Sequence, residues 1–100
     1  MPLIVEVAVD PIGTGSPSVG DYIRAAVEVL RKRGMKHWIG PMGTSFEVSS
    51  LRELGCLLQE IHDELHRLGV MRIVTTVRID DRRDKEIDME YKVRRVQNRP

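Results

Sequence analysis

Two short loops combine glycine with hydroxyl side chains, and each lies where an apolar stretch of the chain ends or reverses. The first spans residues 10–18 and the second spans residues 41–44. Glycine lets a ligand approach the backbone closely, and serine and threonine hydroxyls can donate or accept hydrogen bonds. Such loops predict a pocket for a small polar molecule, although ordinary turns have the same composition. The candidate loop residues are Thr14, Gly15, Ser16, Met42, Gly43 and Thr44.

Three side chains on nearby strand patterns could complete this pocket. Glu47, like Glu6, is a strand carboxylate that either faces solvent or, in a pocket, accepts hydrogen bonds from an aminopyrimidine or balances a cation. Trp38 suits core packing and stacking on a flat ring equally well. Arg78 either belongs to a solvated ion-pair segment over residues 78–84 or reaches a ligand or a partner subunit. Trp38, Glu47 and Arg78 therefore join the candidate binding residues.

Other chemistries lack the residues that they need. Gly13–Ser16 has neither the glycine spacing nor the lysine of a nucleotide-phosphate loop. His62 and His66 are four residues apart on a helical pattern, but only His37 could join them. The single cysteine, Cys56, excludes an internal disulfide and a cysteine-rich zinc site. We expect no metal, no cofactor and no catalytic residue.

Composition limits the partners and the cellular setting. The 100 residues carry 16 lysines and arginines against 15 aspartates and glutamates, a net charge of +1, which predicts no attraction to nucleic acid. The N-terminal residues lack the basic start and apolar run of a signal peptide. No apolar run is long enough to cross a membrane. We expect one domain, residues 1–100, in the cytoplasm.

Hydrophobic periodicity predicts the elements that must position the candidate residues. Leu3–Val9 is rich in β-branched residues and predicts a strand that stops at Asp10. Ser18 is the expected N-cap of a first helix, and Gly34 is its expected stop. A second capping pattern at Ser50 predicts a long helix that ends at Gly69. The remaining predicted elements are strands over Lys36–Gly40, Thr44–Val48 and Val70–Ile79, and a final helix over Lys85–Val96.

The predicted order is β-α-β-β-α-β followed by a C-terminal helix. Two strand–helix–strand units joined by a hairpin make the ferredoxin-like α+β fold, whose helices lie on one face of a four-stranded antiparallel sheet. No helix is left for the other face, and the last helix has little apolar content of its own. Exposed apolar surface favours association, so we expect a homodimer or homotetramer.

Three motifs together resemble the small thiamine-binding (YkoF-like) family, and the resemblance runs over nearly the whole chain in the same order. The motifs are Pro11–Gly15 with Pro17 and Ser18, Pro41–Thr44 with Glu47, and Thr75–Asp84. The resemblance implies a ferredoxin-like domain that pairs into dimers and often tetramers. It also implies binding of thiamine or its hydroxymethylpyrimidine half, with no known catalytic step.

The residues fit such a ligand, which is a flat aminopyrimidine linked to a cationic thiazolium. It needs a carboxylate and hydroxyls at its ring edge and an aromatic or sulfur surface at its faces. We therefore predict a cytoplasmic, non-catalytic binder that acts as a carrier or sensor. Two alternatives stay open: an enzyme for a small metabolite that uses Glu47 or His37 as a base, and a purely structural oligomerising module.

Overall fold

The computed structural model describes residues 2–97, and its elements follow the predicted order. The strands are β1 (Leu3–Ile12), β2 (His37–Ile39), β3 (Thr44–Val48) and β4 (Arg72–Asp80). The helices are α1 (Gly20–Lys32), α2 (Leu51–Arg67) and α3 (Met89–Gln97). The strands form one sheet in the order β2-β3-β1-β4, and all neighbours are antiparallel. The predicted ferredoxin-like α+β fold is confirmed.

The core lies between one face of the sheet and the helices α1 and α2. Successive strand side chains alternate between the two faces, so every second residue of β1 and β3 is buried. The buried core residues include Leu3, Val5, Val7, Val9, Phe46, Val48, Leu30, Leu54, Leu57, Ile61 and Leu65. The intervening strand residues point away from α1 and α2, and we call the surface that they form the open face.

β1 continues beyond its predicted end. Its last pair joins Ile12 to Arg72 of β4, whereas its pairing with β3 ends at Val7. Beyond Val7 the strand therefore has a neighbour on one side only. Proline lacks an N–H and is tolerated where a strand edge is free, which explains Pro11 within β1. The prediction that the strand stops at Asp10 was wrong for this reason.

α1 begins one residue later than a Ser18 cap would place it. Val19 is in the N-cap position, and no side chain accepts a hydrogen bond from the first turn. The Ser18 N–H donates to Ser16 Oγ at 3.1 Å, so this hydroxyl contact forms within the loop. The predicted cap at Ser18 was wrong. The predicted stop at Gly34 is confirmed, and its φ is 68°.

α2 has the predicted cap, because Ser50 Oγ accepts a hydrogen bond from Glu53 N at 3.1 Å. β4 begins two residues later than predicted and ends one residue later, at Asp80. Its alternation is as predicted: Ile73 and Val77 pack against the core, while Arg78 is exposed on the open face. This alternation matters because it carries Arg78 to the side of the sheet opposite α1 and α2.

α3 begins at Met89 rather than at Lys85. Asp88 caps it, since its Oδ1 accepts a hydrogen bond from Tyr91 N at 2.7 Å. Met89 is buried, and Lys92 forms an ion pair with Asp80 of β4, which faces the open side of the sheet. The expectation that no helix covers this face therefore needs correction, because α3 covers the end of the open face beside Asp80.

Candidate functional site

One straight line of polar and aromatic side chains crosses all four strands on the open face. The strand register places Trp38 of β2 opposite Ser45 of β3, Ser45 opposite Glu6 of β1, and Glu6 opposite Arg78 of β4. We call these four residues the cross-strand row. Adjacent strands are about 4.8 Å apart, so the row spans about 14 Å from its first residue to its last.

The cross-strand row forms the floor of a depression of about 290 Å³. Met89, Lys92 and Val93 of α3 form one wall, and Ile4 adds apolar surface to the floor. Trp38 keeps 40% of its surface exposed, so the indole is available to a ligand. The depression thus joins an aromatic surface, a thioether, a hydroxyl, a carboxylate and a guanidinium within one space.

The two charged side chains of the row, Glu6 and Arg78, do not take part in the ion pairs that stabilise the described residues. Among residues 2–97, no salt bridge or side-chain hydrogen bond involves Glu6 or Arg78, although the two face each other across β1 and β4. Opposite charges at such positions commonly pair with each other. The nearby carboxylates of Glu47 and Asp80 differ in this respect, because Glu47 contacts Lys36 and Asp80 contacts Lys92. Glu6 and Arg78 are therefore free to meet a ligand.

Glu47 has an evident structural task. Its Oε2 accepts a hydrogen bond from the Met89 backbone N–H at 2.8 Å and contacts Lys36 Nζ at 2.9 Å. A carboxylate at the N-terminus of a helix satisfies a free N–H and interacts favourably with the helix dipole. Glu47 thus anchors α3, which is one wall of the depression. A direct contact between Glu47 and a ligand stays a prediction.

Lys36 joins the two carboxylates at this end of the sheet. Hydrogen bonds to Glu90 and then to Glu47 raise the pKa of Lys36 above its ordinary value of 10.5, against the opposing effect of desolvation. The Lys36 side chain is 43% exposed, so solvent screening keeps its contribution below about 1 kcal/mol. A raised pKa means that the charged lysine stabilises the fold fully below pH 10.5 and loses this effect as the pH rises further.

Replacing Lys36 with methionine tests this pH dependence. We expect the stability difference between the wild type and Lys36→Met to be constant up to about pH 10 and to shrink above it. Urea unfolding of both proteins across that range measures the difference. A difference that stays unchanged up to about pH 11.5 would contradict the assignment.

The second loop lines a cleft distinct from the depression over the row, although its Gly43 lies beside Glu6 of the row. Met42, Gly43 and Thr44 line a cleft of about 230 Å³ between α1 and the edge of β1 that β3 leaves free. This cleft is largely apolar, and Asp10 supplies a carboxylate at its rim. Met42 is 87% exposed, whereas Thr44 is buried, with 8% of its surface exposed. Three predicted residues therefore lie together here, but apart from Trp38 and Arg78.

Gly43 is the point at which this loop touches β1. A Cβ added to Gly43 would lie 3.2 Å from Glu6 Cγ and 3.2 Å from the Val7 carbonyl oxygen. We expect Gly43→Ala to destabilise the protein by about 1 kcal/mol through this overpacking. Gly55→Ala is the control, because a Cβ there meets nothing within 4 Å on helix α2. Thermal unfolding should show a loss for the first variant and none for the second.

The candidate residues of the first loop, Thr14, Gly15 and Ser16, contribute to neither the row nor the cleft. Thr14 Oγ1 donates to the Ser16 carbonyl oxygen at 3.0 Å, so the two residues fix the shape of the loop. Gly15 has a φ of 81°, a conformation that glycine adopts far more readily than other residues. Thr14 and Ser16 line a separate exposed depression beside Leu68. The structure therefore does not bring the hydroxyls of the first loop to the cleft of the second loop.

Sequence reasoning named Glu6 only as a second strand carboxylate and did not include Ser45. The available signal for Glu6 was its position as the one charge in an apolar strand. Ser45 offered no signal of its own, because its place in the row depends on the register between β3 and both of its neighbours.

The histidines have structural partners. His62 Nε2 lies 2.6 Å from Thr75 Oγ1, and His66 Nδ1 lies 2.6 Å from the Val70 carbonyl oxygen. Over residues 2–97, no three histidine, cysteine or acidic residues lie close enough together to hold a metal ion. In the same part of the chain, no helix has the length and apolarity needed to cross a membrane.

Comparison with known proteins places this chain among close relatives. It is 37% identical to a UPF0045 protein of Methanothermobacter thermautotrophicus over 97% of this chain and 98% of the relative. The UPF0045 protein YqgV of Bacillus subtilis is 36% identical, with 93% and 92% covered.

Solved structures agree with this relationship. A hypothetical protein of Methanocaldococcus jannaschii superposes with a TM-score of 0.84 at 33% identity, covering 95% of each chain. A candidate thiamine biosynthesis/salvage protein of Thermotoga maritima gives 0.79 at 26% identity, covering 97% of this chain and 100% of that one. Residues 5–97 match the family described as thiamine-binding protein. The chain therefore belongs to the thiamine-binding protein family.

Proposed function

We propose that this protein binds thiamine, or its hydroxymethylpyrimidine half, in the open-face depression. The observation that carries the proposal is the unpaired Glu6 carboxylate between an exposed indole and a free guanidinium. The site acts without catalysis, and the protein serves as a cytoplasmic carrier or sensor. Membership of a family described by thiamine binding supports the choice of ligand.

The chemistry of the row matches the ligand group by group. The indole of Trp38 offers a flat face to the aminopyrimidine. Ser45 can donate to or accept from the ring edge. Glu6 can balance the positive thiazolium, and a charged partner is worth more in a depression that excludes part of the water. For each of these ligand groups, the depression offers one side chain that makes no side-chain hydrogen bond or ion pair within residues 2–97.

Of the two bases of a possible enzyme, Glu47 is already engaged in the fold. His37 Nδ1 donates to the Met35 carbonyl oxygen at 2.8 Å, which fixes the ring. Glu47 caps α3 and contacts Lys36. The contacts of Glu47 favour a binding protein over an enzyme that would need Glu47 as a free base, whereas donation from Nδ1 leaves the Nε2 lone pair of His37 able to accept a proton. Chromatography of thiamine after prolonged incubation with the protein tests this point, and a new product would overturn the non-catalytic assignment.

Isothermal titration with thiamine tests the binding proposal directly, with free hydroxymethylpyrimidine as the comparison ligand. Saturable binding of thiamine is the expected result. Weaker binding of the pyrimidine alone would fit the assignment of the cation to Glu6. Absence of heat from both ligands, together with no thiamine-induced rise in Tm, would overturn the proposed function.

The remaining open face is the surface that we propose for self-association into a homodimer or homotetramer. Ile12 and Val74 are 41% and 45% exposed and lie at the end of the sheet away from α3. Burial of apolar side chains like these commonly drives association. Sedimentation of the wild type and of Val74→Glu measures the oligomeric state. A monomeric wild type would contradict this part of the proposal.

A further inference from the structure

Free thiamine leaves one group of the row unused. The ring requires Trp38 and the cation requires Glu6, but the unesterified hydroxyethyl arm has no charge to offer Arg78. Arg78 is exposed in the depression and forms no salt bridge or side-chain hydrogen bond within residues 2–97. A free guanidinium with parallel N–H donors is the side chain best suited to bind a phosphate.

The order of charges along the row indicates what kind of ligand the Arg78 guanidinium could bind. An aromatic face, an anion and a cation follow one another from Trp38 through Glu6 to Arg78, over about 14 Å. A complementary ligand carries a flat ring, then a positive charge, then a negative charge. The phosphate monoester of thiamine has its groups in this order.

The electrostatic surroundings of Arg78 permit an anion. The nearest carboxylate on the same strand and face is Asp80, and Lys92 of α3 neutralises it through an ion pair. Lys92 also lines the depression and adds a second positive charge to that side. Glu6 is the one acid of the row, and the ligand's own cation would balance it.

We propose that the natural ligand of this site is a phosphate monoester of thiamine, with Arg78 holding the phosphate. This inference rests on the proposed function, because it assumes that the thiamine ring system occupies the row. It adds a specificity: the phosphorylated form binds more tightly than free thiamine, and Arg78 determines the difference.

Titration of the wild type with thiamine and with its monophosphate tests the inference. A charge-assisted hydrogen bond to phosphate should make the monophosphate bind about tenfold more tightly. Arg78→Gln should remove this preference, so that the variant binds thiamine and its monophosphate with affinities that agree within about twofold. Arg72→Gln is the matched control, since Arg72 is an exposed arginine of the same strand and face, and it should change neither affinity.

The possible failures are distinguishable. If thiamine binds and its monophosphate binds equally or more weakly, the phosphate assignment is wrong and the proposed function stands. If neither binds and free hydroxymethylpyrimidine does not bind either, the proposed function itself fails. Hydroxymethylpyrimidine phosphate is the remaining arm, because its phosphate lies one methylene from the ring and cannot span the row. Tight, Arg78-dependent binding of that compound would overturn the assigned order of groups.

Discussion

Glu6→Gln is expected to weaken thiamine binding about tenfold, because it removes the charge that faces the thiazolium while keeping the size of the side chain. A hydrogen bond or contact to an ionic partner contributes about 1.5–3 kcal/mol, and the exposure of Glu6 places the effect near the lower limit. The fold should be unaffected, since Glu6 has no partner in the described residues. Titration calorimetry, with thermal unfolding as a check on the fold, measures both quantities.

Two control variants separate the row from the cleft. Asp10→Asn removes an acid from the same strand and face as Glu6, but Asp10 lines the cleft. Thr44→Val removes the hydroxyl of the cleft with little change in shape. We expect both variants to bind thiamine as the wild type does. If they weaken binding and Glu6→Gln does not, the ligand occupies the cleft and our assignment of the site is wrong.

The parts of the fold that could be predicted are those set by local chemistry. Ser50 caps α2 because its hydroxyl reaches an N–H three residues away, and the glycine at position 34 ends α1 by its own backbone preference. Local sequence patterns do not predict the bounds of an element when a residue far away in the sequence helps to set them. α3 begins at Met89 because Asp88 caps its first turn and because Glu47, more than forty residues earlier, accepts the Met89 N–H.

The same distinction explains the site. Trp38 and Arg78 could be singled out by residue type alone, but their common line across the sheet follows from the pairing of four strands. The two glycine-threonine loops looked equivalent in sequence, yet pairing of β1 with β3 stops at Val7, and Thr14 and Ser16 lie apart from the second loop. A shift of register by one residue would move every side chain of the row to the other face.

Glu47→Ala is expected to lower the free energy of unfolding by about 2–3 kcal/mol, the largest stability loss among the variants considered. The substitution removes a charged acceptor from the first turn of α3 and leaves Lys36 with one carboxylate. Loss of a helix cap costs about 0.5–2 kcal/mol, and a charged hydrogen bond at a side chain that is 16% exposed adds to it. Urea unfolding should show the lower free energy of unfolding, and the α3 amides should exchange their hydrogens faster in the same variant.

Two further substitutions isolate the capping interaction from the ion pair. Glu47→Gln keeps an oxygen that can accept the Met89 N–H, so it should lose less than half as much stability as Glu47→Ala. Glu90→Ala removes the other carboxylate that contacts Lys36 but leaves the cap in place, and exposed ion pairs contribute at most about 1 kcal/mol. If Glu90→Ala were as damaging as Glu47→Ala, Lys36 rather than the helix cap would anchor α3. Because α3 is one wall of the depression, only the variant that frees α3 should also weaken thiamine binding.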